Sequence, residues 1–297
     1  MCGIVGLFLK DRALEGDLGG MLSGMLATMC DRGPDSAGFA VYGPTENSQV
    51  KLTVQSQDPL RFEALQSALA KALGSSAALV LKDTHAVIRL EDGVVGQARS
   101  VLEEQFPDLR VLASGRSIEI YKEVGLPTDV ADRFGLAAMS GTHGIGHTRM
   151  ATESAVTTMG AHPFSTGADQ CLVHNGSLSN HNNLRRELKR EGRIFETEND
   201  TEVAAAYLSA QMDKGLSLGG ALEKSLGDLD GFYTFVVGTR DGFGVLRDPI
   251  ACKPAILAET DRYVAFGSEY RALAGLPGID KAKVWEPEPA TVYFWGR

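Results

Sequence analysis

Cysteine is scarce in this chain: Cys2, Cys30, Cys171 and Cys252 are the four in 297 residues, and no two stand at C-x-x-C spacing. Structural zinc sites and thioredoxin-like pairs are built on close cysteine pairs, so neither is indicated. No apolar run approaches the roughly 18 residues of a membrane span, and no charged segment followed by an apolar stretch marks a secretory leader. Lysine and arginine total 29 against 38 acidic residues, a formal net charge of −9, which disfavours nucleic acid or an anionic membrane as partner. The one basic run, RRELKREGR from Arg185 to Arg193, interleaves acids at helical spacing and reads as a solvated helix face. P-loop, G-x-G-x-x-G and metal-ligand patterns are also missing, so no cofactor and no metal is expected in this chain. What remains, 43% hydrophobic and 23% charged, is ordinary for a globular protein of a reducing cytoplasm.

The chain has two textures. The piece up to about Gly43 and the long piece from about Gly144 are rich in short apolar strands punctuated by glycine. Between Val50 and Tyr121 the order is different: a strand (KLTVQSQ), an amphipathic helix (RFEALQSALAKAL), two strands (AALVLKD, HAVIRLE), a helix (VVGQARSVLEEQF) and a strand pair (LRVLAS, SIEIYKE). That succession is similar to a split βαβ, ferredoxin-like unit, and predicts an inserted subdomain over 44–142. The C-terminal piece adds hairpin-forming strands and helices, which points to antiparallel sheets with helices outside.

The scarce cysteine is placed where it matters. Once Met1 is removed, Cys2 carries both a thiol and a free α-amine with a pKa of about 7.7 to 8.0, which at neutral pH is partly unprotonated and can serve as base. A free cysteine is otherwise most often a small buried residue, and Cys30, Cys171 and Cys252 keep that reading. His174-Asn175-Gly176 follows the apolar residues Cys171 to Val173, so it is expected at a strand end where the chain turns. An Asn amide and a Gly N–H converge well on one oxygen, as an oxyanion site requires, while Asn-Gly is also the commonest two-residue hairpin turn. Arg149 can hold a carboxylate with two parallel hydrogen bonds, and Asp200 suits an ammonium group; together they match the ends of a free α-amino acid, or each other as an internal ion pair.

Five stretches in order, Cys2-Gly3-Ile4-Val5-Gly6, Arg32-Gly33-Pro34-Asp35-Ser36-Ala37-Gly38, Gly146-His147-Thr148-Arg149, His174-Asn175-Gly176 and Asn199-Asp200-Thr201-Glu202, together resemble the class II glutamine amidotransferase domain. Weaker echoes are Arg247-Asp248-Pro249 and Phe266-Gly267-Ser268-Glu269. The resemblance covers the two outer parts of 1–297 and skips the middle. It implies an α+β N-terminal-nucleophile fold, a four-layer α/β/β/α sandwich, here with an inserted ferredoxin-like α+β subdomain. It further implies Cys2 as nucleophile, Asn175 and Gly176 as oxyanion donors, and Arg149, Thr152, His162 and Asp200 as substrate contacts. Arg32 reads as scaffold near Cys2, and His174 as structural.

The chain carries no module for using the ammonia that a glutaminase releases, so the acceptor site is expected on another polypeptide. A separate subunit of this shape resembles those of glutamate-synthase-like complexes, N-methylglutamate synthase in particular. The resemblance implies hetero-oligomeric partners of two kinds, an FMN-binding synthase and a β-helix subunit, with FMN or an iron–sulfur cluster in the partners. Two other readings stay open: an N-terminal-nucleophile hydrolase of another amide, and a non-catalytic subunit that only binds an amino acid.

Overall fold

A computed structural model describes residues 2–44, 48–151 and 155–297. Met1 and Thr152 lie outside the described residues.

The strands in chain order are β1 (Gly3–Leu9), β2 (Ser36–Tyr42), β3 (Gln49–Gln55), β4 (Ala77–Lys82), β5 (His85–Glu91), β6 (Arg110–Gly115), β7 (Ile118–Val124) and β8 (His143–Arg149). There follow β9 (Phe164–Gly167), β10 (Gln170–Leu178), β11 (Gly231–Thr239), β12 (Gly242–Arg247), β13 (Ile256–Glu259), β14 (Tyr263–Gly267), β15 (Lys283–Trp285) and β16 (Thr291–Gly296). The helices are α1 (Leu18–Ala27), α2 (Arg61–Leu73), α3 (Val95–Gln105), α4 (Pro127–Phe134), α5 (His181–Arg190), α6 (Asp200–Asp213) and α7 (Leu218–Asp228).

Seven strands form one antiparallel sheet in the order β15-β13-β14-β1-β8-β2-β7, and five form a second, β16-β12-β11-β10-β9. The two sheets face each other. Ile4, Ala40 and Ile145 of the first pack with Cys171, Val173, Val236 and Val245 of the second in one buried cluster. On the far side of the first sheet, Leu22 and Leu26 of α1 and Phe134 of α4 bury Leu7, Phe39 and Tyr121. On the far side of the second, α5, α6 and α7 cover Leu172, Tyr233, Phe235 and Leu246. The result is the four-layer α/β/β/α sandwich. It explains why β1 reads GIVGLFL without alternation: both faces of a central strand are buried.

The middle of the chain forms a third sheet, order β4-β5-β3-β6, all antiparallel, with α2 and α3 packed on one face around Leu52, Val54 and Ile88. This βαββαβ path fills residues 49–115. The expected pairing of the last two strands fails: β6 pairs with β3 in the small sheet, whereas β7 pairs with β2 and forms the edge of the seven-stranded sheet. The reason is chemical. Ile118 and Ile120 are fully buried between the two large sheets, where they extend the apolar layer of Ile4, Ala40 and Ile145. Asp169, buried at the β9–β10 turn, fixes the bend between β6 and β7 by accepting from the amides of Arg116, Ser117 and Ile118 at 2.8, 2.8 and 3.1 Å.

Candidate active site

Cys2 sits just before β1, the strand whose neighbours are β8 and β14. Its carbonyl is held from two directions. Arg32 Nε donates to it at 3.1 Å, and Asn175 Nδ2 donates at 3.3 Å. Arg32 is itself fixed by Glu269 at 2.5 Å, so the scaffold reading of Arg32 and the FGSE echo belong to one contact. The hydrogen bonds and charge of Arg32 keep the Glu269 carboxyl below the usual range. Ser268 closes the next position, its Oγ accepting from Ile4 N at 2.9 Å. These bonds fix the residue that follows Met1 between the two sheets.

Asn175 and Gly176 do not lie in a turn. They are inside β10, whose pairing with β11 continues past them to Leu178 opposite Gly231. The expectation of a hairpin at Asn-Gly fails because the partner strand comes from more than 50 residues further on, which no local signal announces. Gly176 is nevertheless obligatory: its φ is +149°, and a Cβ there would lie 2.0 Å from Phe232 O.

The strand position decides what the main chain around Asn175 and Gly176 can reach. Even-numbered residues of β10 turn their main-chain groups toward β9, but that pairing stops at Leu172 opposite Phe164. Beyond it the edge is served by side chains. His147 Nε2 donates to His174 O at 3.0 Å, and Asp200 Oδ2 accepts from Leu178 N at 2.9 Å. Gly176 N–H lies on the same open edge, between those two capped positions. The Asn175 side chain points to the face that meets Cys2. An Asn amide and a Gly N–H thus flank the space beside Cys2.

His147, on β8, is buried and neutral: desolvation takes its pKa down to about 3 despite its hydrogen bond to His174 O. His162 stacks on it, ring centroids 4.0 Å apart, and shares a 2.7 Å hydrogen bond with Thr201 Oγ1. Burial, then the neighbouring histidines, put the pKa of His162 well below its ordinary value. The His174 ring meets the same hydroxyl, Thr201 Oγ1, at 3.0 Å and lies 3.7 Å from Asp200 Oδ1. His162 is therefore an interior partner of the α6 N-terminus, and His174 has the structural place expected of it.

Asp200 opens α6, with Asn199 as N-cap accepting from Thr201 N at 2.9 Å. Burial works against its charge, but the His174 hydrogen bond and charge and the Leu178 amide outweigh burial and bring its pKa to about 2. Arg149 ends β8, buried, with Nη1 donating to Ala155 O at 3.3 Å. β8 runs antiparallel to β1 with Thr148 opposite Gly3, so Arg149 falls beside Cys2. Thr152 cannot be placed among these, since it lies outside the described residues.

The remaining thiols sit elsewhere, and the buried place expected of all three holds for Cys171 alone: Cys30 is half-buried and Cys252 is exposed. Cys171 is fully buried between the sheets, takes a 3.4 Å hydrogen bond from Tyr42 Oη, and has its pKa pushed up to about 12 by burial. Among the described residues no group of three or more His, Cys, Asp or Glu could hold a metal ion. No helix among them is long and apolar enough to cross a membrane.

Comparison with known proteins gives the same reading from another direction. A family profile described as the glutamine amidotransferase domain matches residues 147–275. The chain is 66% identical over 296 residues to the glutamine amidotransferase-like protein GlxB of Rhizobium meliloti, covering 99% of this chain and 98% of that protein. It is 35% identical over 306 residues to a putative glutamine amidotransferase of Methanothermobacter thermautotrophicus, covering 99% of each. Among solved structures, the glutamine phosphoribosylpyrophosphate amidotransferase of B. subtilis superposes with a TM-score of 0.63 at 20% identity, covering 99% of this chain and 47% of that one, a likeness of fold.

Proposed function

This chain belongs to the class II glutamine amidotransferases, and from that premise we propose that it is a glutaminase whose nucleophile is the Cys2 thiol. With Met1 removed, the Cys2 amine takes the thiol proton, the thiolate attacks the γ-amide carbon of glutamine, and the amine passes that proton to the departing nitrogen, so that ammonia leaves as a thioester forms. Water then releases glutamate. The oxyanion of each tetrahedral intermediate is met by Asn175 Nδ2 and Gly176 N–H, while Arg149 and Asp200 hold the α-carboxylate and α-amine, with Thr152 and His162 as further pocket positions. The observation that carries this reading is the Asn175 hydrogen bond to Cys2 O, which ties the oxyanion strand to the nucleophile's own residue. Glutamine hydrolysis by the purified chain, abolished in Cys2→Ala, is the test.

The ammonia goes to a partner, in a glutamate-synthase-like or N-methylglutamate synthase complex whose FMN-binding and β-helix subunits would carry any FMN or iron–sulfur cluster. What supports a separate acceptor is the use made of the chain itself: the two large sheets and their helices build the glutamine site, and the small sheet is packed with its own helices. The small unit is proposed as the docking surface. Leu60, at 72% exposure, and Leu81, at 55%, are apolar side chains it leaves uncovered. Co-expression with candidate synthase subunits, followed by size-exclusion and glutaminase assays, tests this part.

A further inference from the structure

Lys122 is buried, with no anionic partner in contact among the described residues. It lies on β7 at 3% exposure, and among the described residues its Nζ is bonded to carbonyl oxygens, not to a carboxylate: Met159 O at 3.2 Å, Ala161 O at 2.9 Å and Pro163 O at 3.4 Å. The Phe164 ring centroid is 4.5 Å away. The next residue, Glu123, points to the opposite face of the strand and accepts from the Thr158 hydroxyl and, at 3.2 Å, from Thr84 Oγ1. Segment 158–163 is thus gripped from both faces of an edge strand.

That segment also borders the glutamine site. Three residues before it, Ala155 O accepts from the Arg149 guanidinium at 3.3 Å; within it, His162 Nε2 reaches Thr201, the neighbour of Asp200, at 2.7 Å. We propose that Lys122 is a positioning residue for glutamine binding, its ammonium holding segment 158–163 so that Arg149 and Asp200 keep the spacing of an α-amino acid's two ends. The proposal rests on the glutaminase reading above. It also gives the small sheet a path to the pocket, because β7 is the strand by which the chain leaves that sheet.

Burying the ammonium carries a cost. Burial brings the Lys122 pKa from 10.5 down to about 8, with Glu202 and Glu196 only partly offsetting it. A cation with a depressed folded-state pKa costs stability while protonated, and the cost eases as pH rises from about 8 toward 10.5. Around it stand Glu202 of α6, Glu196 before it, His162 on the clasped segment, His85 of β5, and Arg110 of β6 across a cleft of about 720 Å³. The two histidines are held neutral by burial, so Lys122 is the group among them whose charge changes as pH rises through 8.

The test is glutamine affinity by calorimetry on full-length Cys2→Ala protein, with and without Lys122→Met. Affinity should fall about tenfold in Lys122→Met, the scale of removing one charge-assisted hydrogen bond, while relief of the buried charge offsets the loss of the carbonyls' donor and keeps the melting temperature at pH 7 within a few degrees. Between pH 7 and 9 affinity should weaken more steeply with Lys122 present than in Lys122→Met; the N-terminal amine and the glutamine amine titrate there too but are common to both. In the Cys2 background, kcat should stay within about twofold. Unchanged affinity, or weakened affinity together with a collapsed melting temperature, would overturn the clasp while leaving the glutaminase reading standing. Absence of glutamine binding in Cys2→Ala itself would overturn both.

Discussion

Asn175 Nδ2 donates to the carbonyl of Cys2 at 3.3 Å, a hydrogen bond that crosses from the five-stranded sheet to the start of the seven-stranded one. It makes Asn175 both a brace for the nucleophile's residue and a donor beside the thiol. Asn175→Ala is therefore expected to lower kcat for glutamine hydrolysis by roughly a hundredfold or more, with KM changed far less. Steady-state kinetics check this; a change in KM alone would remove Asn175 from the oxyanion site.

Gly176→Ala should fail for a backbone reason. The added Cβ meets Phe232 O at 2.0 Å and the φ of +149° is strained for any other residue, so a loss of about 2 kcal/mol or more is expected. Chemical denaturation of the variant measures it. Full stability would mean that β10 can shift, and that the open edge is not fixed as described.

Asp200 should leave a mark on acid stability. Its pKa is about 2 in the folded chain against an ordinary 3.8, so its ionised form stabilises the fold fully above about pH 4, and that contribution is lost as pH falls through 2. The scale is about 2 kcal/mol. Asp200→Asn should flatten this part of the pH–stability curve and, by removing the partner for the α-amine, weaken glutamine binding by at least about tenfold. Unaltered acid unfolding in Asp200→Asn would contradict the assignment.

His147 caps the strand that carries the oxyanion donors. His147→Phe keeps a ring to stack on His162 but leaves His174 O without its donor, a cost of about 1 to 3 kcal/mol. Because the displaced peptide is the one leading into Asn175, kcat should fall more than affinity for glutamine. Equal loss of both would make His147 a general packing residue.

The candidate site residues were named from short motifs, each of which states its chemistry locally: a thiol next to the terminus, an Asn-Gly pair, an Arg after an apolar strand, an Asp behind an N-cap Asn. The structure brings Cys2, Arg149, Asn175, Gly176 and Asp200 to one end of the sandwich. What was not legible depends on distant partners. The turn expected at Asn175-Gly176 is a strand because β11 pairs there, and β7 leaves the small sheet to pair with β2, where Ile118 and Ile120 are buried between the large sheets. The helix α1 was hidden by its own composition. LGGMLSGMLA carries three glycines in ten residues, which weaken the helical signal, yet Gly19 must be glycine, since a Cβ there would lie 2.0 Å from Leu136 O. Lys122 gave no sign either, since a lysine in SIEIYKE looks like the solvated face of an edge strand.

The chemistry at Cys2 is tested most directly by intact-mass and peptide mass spectrometry of active protein treated with a glutamine-shaped electrophile, a γ-haloketone or diazoketone analogue. The expected result is a chain without Met1, carrying one adduct on Cys2, with glutamine protecting against labelling and activity lost in proportion to it. Fully active protein that retains Met1, or inactivation that tracks an adduct on Cys30 or Cys252 with Cys2 untouched, would contradict the N-terminal-nucleophile mechanism.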